Sequence, residues 1–187
     1  MVALGRGGPY AFVEIGQAHH HDRYFDDDAG HLRDAGLALR QRRTAGGELA
    51  TLKGAGQVDG AWHRREELEA AMHGDDWPVA IARRLAEHMA LWRLRPQLEL
   101  DVERTSYRVV FSGRPVATLV FDRVTARLPG ADRTAHFDEA EIEALDDVDL
   151  PVLEGAAALL DALVRLTPSS ATKLARAVAV LELGAGF

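Results

Sequence analysis

The stretch DRYFDDDAGHLRDAGLALRQRRTAGGELATLK, residues 22–53, decides the fold. It opens on Arg23-Tyr24-Phe25, which has strand character, and passes through an acidic turn containing glycine. It then resolves into Leu37-Ala38-Leu39-Arg40-Gln41-Arg42. A strand sends residues i and i+2 to the same side, so Arg40 and Arg42 point together while Leu37 and Leu39 share a face of their own. After a turn at Ala45-Gly46-Gly47, Glu48 to Lys53 reads as the returning strand and ends on a third cation. Adjacent strands that carry Arg40, Arg42 and Lys53 toward one region suit an anion of several charges, because guanidinium forks and ammonium groups match phosphate oxygens.

The chain has 187 residues, enough for a single domain, residues 1–187, with a sizeable core. Its 47% apolar and 27% charged content is that of an ordinary globular protein. It contains no cysteine, which excludes disulfides, thiolate chemistry and Cys-type zinc sites. A net charge of −7 gives no global attraction to nucleic acid or to an anionic membrane, so an anion site must be a local cluster. No apolar run approaches the roughly 20 residues of a membrane span, and the N-terminus lacks a signal-peptide core. The cytoplasm is the expected location. Residues 1–9 are Gly-rich and expected to be loose.

Phe12 to Phe25 is compatible with a strand. His19-His20-His21 would split between its two faces, which favours a polar strand segment over a metal site. Val58 to Glu69 reads as a helix by pattern alone; as a strand, it would place Arg65, Glu67 and Glu69 on one face. Asp75 to Trp92 predicts an amphipathic helix capped by Asp76, with Pro78 in its first turn. Leu98–Phe111 and Arg114–Arg127 form a hairpin across Ser112-Gly113. In its second arm Val116, Thr118, Val120 and Asp122 share a face. His136 to Leu145 carries Glu139, Glu141 and Glu143 at period two. Pro151–Leu166 and Pro168–Leu183 predict helices, the second with Lys173 and Arg176 on one side. Strands, one helix, strands, then two helices indicate an α+β domain. Its long antiparallel strands, about eight, favour a closed or nearly closed barrel with flanking helices.

A charged strand face is usually a solvated one. Here the period-two charges recur on separate strands: Arg40 and Arg42, Lys53, Arg65 with Glu67 and Glu69, and the glutamates at 139, 141 and 143. Turned inward, these faces line a polar tunnel of both signs. Carboxylates there suit a hard divalent cation, Mg²⁺ or Mn²⁺, and the cations suit the rest of a polyphosphate.

The order of these motifs resembles the CYTH superfamily, the triphosphate tunnel metalloenzymes, from about Asp22 to about Arg176. Leu39-Arg40-Gln41-Arg42 and Thr51-Leu52-Lys53 resemble its two basic strands. Arg65-Glu66-Glu67-Leu68-Glu69 resembles its Arg-x-Glu-x-Glu strand, which turns the helix reading of that segment into a strand. Leu94-Arg95-Pro96 with Asp101 and Arg104 resembles the strand after the crossover helix. Phe121-Asp122, Glu139-Ala140-Glu141-Ile142-Glu143 and Pro168-Ser169-Ser170-Ala171-Thr172-Lys173 with Arg176 resemble the later strands and the closing helix.

The resemblance implies that the charged faces turn inward. It implies divalent-metal-dependent hydrolysis of a triphosphate: inorganic tripolyphosphate, a nucleoside triphosphate or thiamine triphosphate. Arg40, Arg42, Lys53, Arg65, Arg104, Lys173 and Arg176 are then the phosphate-binding residues. Glu141 and Glu143, with Asp122, form the metal region, and Glu67, Glu69 and Glu139 are further tunnel acids. Partners are a triphosphate or polyphosphate small molecule, with no nucleic acid and no membrane, and a homodimer is compatible with the sequence. The family's first strand carries Glu-x-Glu-x-Lys, a motif this sequence does not contain; Val13-Glu14-Ile15-Gly16 offers one Glu, close to Asp22. Thr118 stands where many members have a second Glu, four residues before Asp122. No general base is identifiable. These departures support an alternative reading, a degenerate tunnel that binds polyphosphate or nucleotide without turnover.

Overall fold

The computed structural model describes residues 5–59, 62–145 and 147–183. The strands are β1 (Arg6–Gly7), β2 (Tyr10–Asp26), β3 (Ala38–Thr44), β4 (Gly47–Asp59), β5 (Trp62–Ala71), β6 (Arg95–Phe111), β7 (Arg114–Arg127) and β8 (Thr134–Ala144). The helices are α1 (His31–Asp34), α2 (Val79–Ala86), α3 (Leu150–Val164) and α4 (Lys173–Leu183). The strands form one 8-stranded sheet in the order β5-β4-β3-β2-β6-β7-β8, with β1 paired to β2. The fold is α+β, an antiparallel sheet with flanking helices, as the sequence predicts. Among the described residues, the hydrogen-bonded order is an open path from β5 to β8.

Several elements differ from the sequence reading. Residues 62–71 are a strand, β5, which agrees with the family pattern and not with the helical reading. The helix expected over 75–92 is reduced to α2 and a 3₁₀ turn at Leu91–Arg93. Asp76 does not cap it; it pairs in an isolated bridge with His73, and Pro78 occupies the N-cap position. The last helix begins at Lys173, five residues after Pro168. Ser169 Oγ accepts from the Ala171 amide and Thr172 Oγ1 from the Ala175 amide, so these hydroxyls hold the chain in a turn and then cap α4. The acidic turn after β2 contains the short helix α1. Asp26 accepts from the Leu32 and Arg33 amides and Asp27 from those of Ala29 and His31, which satisfies donors that so short a helix leaves open. The β6–β7 turn places Ser112 at φ 48° and Gly113 at φ 83°, the left-handed pair that a two-residue hairpin needs.

The chain divides into two compact units, and β2, β6, β7 and β8 each contribute a segment to both. The first comprises Met1–Ala18, Glu103–Arg123 and Asp138–Pro168. In it, Tyr10 donates its hydroxyl to the Val152 carbonyl at 2.9 Å and lies against Phe111 with ring centroids 4.9 Å apart. Gly155 on α3 admits that tyrosine, since a Cβ there would stand 2.2 Å from the Tyr10 hydroxyl. Tyr107 and Phe121 meet edge to face at 5.9 Å.

The second unit comprises His19–Val102, Val124–Phe137 and Ser169–Phe187. One of its cores packs Leu39, Ala50 and Leu52 of the β3–β4 pair with Ile81 and Leu85 of α2. Another packs Leu98, Leu100 and Val102 of β6 with Val124 and Ala126 of β7 and Ala177 and Leu181 of α4.

Candidate functional site

The register of β2, β3, β4 and β5 arranges side chains in rows, because directly opposed residues of an antiparallel pair lie on the same face. Tyr24, Arg40, Thr51 and Glu69 form one row. Asp22 faces Arg42 in the next, and Lys53 faces Glu67. The alternate positions Leu39, Ala50 and Leu52 belong to the apolar core beneath α2. The charged side chains therefore occupy the face opposite that core.

The β2 and β3 part of this face is buried, while Glu67 and Glu69 on β5 are exposed. Arg40 and Arg42 are each 8% exposed, while Asp22 and Thr51 are at 0%. Arg42 donates from Nε to Asp22 Oδ1 at 2.7 Å and from Nη2 to Oδ2 at 2.6 Å. Arg40 Nη1 lies 3.8 Å from Asp22 Oδ2. Its Nη2 donates to Thr51 Oγ1 at 3.0 Å, and the Thr51 hydroxyl donates to Glu69 Oε2 at 2.9 Å. Lys53 Nζ pairs with Glu67 Oε2 at 3.1 Å. Burial pushes the Asp22 carboxyl up, but the Arg42 hydrogen bonds and the charges of Arg42, Arg40 and Lys173 outweigh it and hold the group below its ordinary value. Burial raises the phenol of Tyr24.

In the other unit, Asp122 of β7 is at 1% exposure and receives a fork from Arg104 of β6: Nε to Oδ1 at 2.8 Å and Nη2 to Oδ2 at 2.7 Å. Asp122, Glu139 and Glu141 each bring a carboxylate oxygen within 4.8 Å of the others. Three hard oxygen donors fit Mg²⁺ or Mn²⁺ by type.

Of the residues singled out in the sequence, the structure brings together Arg40, Arg42 and Glu69, pairs Lys53 with Glu67, and pairs Arg104 with Asp122. It groups Asp122 and Glu141 with Glu139, and Glu143 is outside that group. Lys173 stands on α4 near enough to lower the Asp22 carboxyl, and Arg176 lies 5.8 Å over the Phe137 ring. The Arg65 backbone faces Gly56 beyond a register shift in β4, and its side chain lies outside the described residues. Of the histidine run, His20 is buried on the Asp22 side, and His21 bonds Asp101 at 2.9 Å on the opposite face.

Sequence reading overlooked Asp22, Tyr24 and Thr51. The signal was available: Asp22 and Tyr24 are two apart, as are Thr51 and Lys53, so each pair shares a face by the period that marked Arg40 and Arg42.

A family model for the CYTH domain matches residues 9–178. Among solved structures, a proposed adenylyl cyclase from Hippeastrum, described as having a dominant triphosphatase activity, is 17% identical with a TM-score of 0.64, covering 92% of this chain and 85% of that one. A protein of Pyrococcus horikoshii is 21% identical with a TM-score of 0.57, covering 91% and 88%. A proposed adenylate cyclase from Bacillus halodurans is 15% identical with a TM-score of 0.55, covering 90% and 95%. At these identities the likeness is one of fold. No curated protein matches the sequence.

Proposed function

The chain belongs to the CYTH domain family, and from that premise we propose that it hydrolyses a triphosphate-containing small molecule with the help of a divalent cation. The observation that carries this is the burial of Arg40 and Arg42 on a strand face opposite the apolar core. Burying a guanidinium costs several kcal/mol unless it is paired. One carboxylate, Asp22, stands between the two arginines, and Arg42 takes both of its oxygens. Arg40 keeps a neutral hydroxyl, Thr51, as its hydrogen-bond partner, with Asp22 and Glu69 each 3.8 Å away. A polyphosphate would offer acceptor oxygens at hydrogen-bonding distance to a guanidinium whose two carboxylate neighbours stand at 3.8 Å.

Each residue then has a task. Arg40 and Lys53 hold phosphate oxygens, and Arg42 is oriented by Asp22. Arg65, Arg104, Lys173 and Arg176 are further phosphate-binding candidates. Asp122, Glu139 and Glu141 would hold Mg²⁺ or Mn²⁺, with Glu143 two residues further along the strand. The cation's contribution, when bound, is to neutralise phosphate oxygens and polarise the scissile phosphorus. In the reaction the oxygen of water joins the terminal phosphorus, the bridging P–O bond breaks, pyrophosphate or its derivative leaves, and a proton passes to solvent. The work of the chain is positioning and charge neutralisation. A second reading, binding without turnover, rests on the sequence lacking Glu-x-Glu-x-Lys.

The test is phosphate release from tripolyphosphate and from ATP, each with Mg²⁺ or Mn²⁺. Metal-dependent release that Arg40→Ala and Glu141→Ala abolish supports hydrolysis. Binding without release, weakened by Arg40→Ala, selects the second reading. Neither binding nor release overturns both.

A further inference from the structure

Asp122 is claimed twice. Its side chain is fully buried, and both oxygens accept hydrogen bonds from the single guanidinium of Arg104. The same carboxylate contributes to the trio that converges with Glu139 and Glu141. A cation already sits on the most buried member of the acidic group, and it is a side chain.

We propose that Arg104 and a divalent cation compete for Asp122, and that Arg104 thereby links cation binding to triphosphate binding. This rests on the proposed triphosphate chemistry of the site. A carboxylate oxygen keeps a second lone pair beside an N–H donor, so a cation can approach without first expelling the fork. A guanidinium and a divalent ion on one carboxylate nevertheless repel each other, strongly where water is scarce. The repulsion is relieved when the guanidinium turns to a new anion, and a phosphate oxygen accepts the same fork. Cation and phosphate then favour each other's binding by equal factors. Arg104 is the positioning residue through which they do so. Arg104 and Asp122 stand on strands joined by a two-residue turn, and the handover asks only that the guanidinium change the anion it faces.

The experiment counts bound Mn²⁺ by electron paramagnetic resonance on the full chain, with the metal alone and no phosphate added. Arg104→Gln is expected to tighten Mn²⁺ binding about tenfold, one step of 1.4 kcal/mol, and Arg104→Lys, which keeps the charge but loses the fork, by less. Melting followed by circular dichroism shows whether each variant is folded. If Arg104→Gln does not fold, Arg104→Lys and the unmodified chain decide. In the unmodified chain, an arginine Nε–H resonance that is absent from the Arg104→Lys spectrum should shift when Mg²⁺ alone is added. Unchanged or weaker Mn²⁺ binding in folded variants, or a stationary Nε–H signal, overturns the competition while leaving triphosphate hydrolysis standing. Mn²⁺ binding indifferent to Glu141→Gln places the ion elsewhere and overturns the carboxylate site, and this proposal with it.

Discussion

Asp22 and Arg42 are joined by two hydrogen bonds, at 2.7 and 2.6 Å, across the β2–β3 ladder, with the carboxylate wholly buried. Removing one partner of such a pair leaves an uncompensated charge inside the protein. Asp22→Ala is expected to destabilise the fold by roughly 3–5 kcal/mol, as measured by urea denaturation. The double variant Asp22→Leu, Arg42→Met should cost less than the single one, because it removes the Arg42 charge together with its carboxylate and leaves only Arg40 short of the Asp22 charge. A double variant as unstable as Asp22→Ala would show that the pair is not what the site relies on.

The same carboxylate sets an acid limit. Its folded-state value lies below the ordinary 3.8, and that of Asp101, held by His21 and Arg127 against the effect of burial, lies below it too. Groups with depressed values bind fewer protons folded than unfolded. Their stabilisation is present above the ordinary value and is lost as the pH falls through the lower folded ones. Stability measured against pH should decline below about pH 4, and Asp22→Asn should flatten that decline. A slope unaffected by the substitution would assign the acid sensitivity to other carboxylates.

Thr51 passes a hydrogen bond from Arg40 to Glu69 through a hydroxyl at 0% exposure. Thr51→Val keeps the shape and removes the link. The expected cost is about 1–3 kcal/mol in stability, with weaker binding of tripolyphosphate in calorimetry. Thr51→Ser should retain both. Equal affinity in Thr51→Val and the unmodified chain would mean that Arg40 needs no such support.

The acidic strand offers a discrimination between neighbours. Asp122 converges with Glu139 and Glu141, and Glu143 stands outside the group. Glu139→Gln and Glu141→Gln should each weaken Mn²⁺ binding by roughly tenfold or more, about 1.4 kcal/mol, and Glu143→Gln by less. Loss of affinity only in Glu143→Gln would shift the ion along β8.

In the first unit, Gly155→Ala introduces a Cβ that would meet the Tyr10 hydroxyl at 2.2 Å. Overpacking of this kind costs about 1–3 kcal/mol, and the companion Tyr10→Phe, which shortens the side chain by the clashing oxygen, should restore part of the loss in a thermal melt. No restoration would place the strain elsewhere on α3.

The alternation of Leu37 and Leu39 with Arg40 and Arg42, and the glycine turns around them, make the order of strands and the charged faces legible along the chain. These are local properties: period two follows from the backbone of a strand, and the Ser112-Gly113 turn from what φ a glycine tolerates. Residues 62–71 show where locality runs out. Arg65, Glu67 and Glu69 suit a solvated helix as well as a strand, and the ladder to β4 chooses between them. The shortening of α2 and the late start of α4 have the same origin, since hydroxyl caps and a bridge at Asp76 outweigh helical periodicity.

The pairing of charges belongs wholly to the tertiary structure. Periodicity places Arg40, Arg42, Asp122 and the glutamates on faces, but a charge on a strand face is usually hydrated, and periodicity does not mark the faces that are buried instead. Register alone sets Asp22 against Arg42 and Thr51 against Glu69, and burial then makes these contacts strong, because a low-dielectric surrounding penalises any charge left without its partner. Opposed residues on different strands are far apart in sequence, and no local pattern carries their distance.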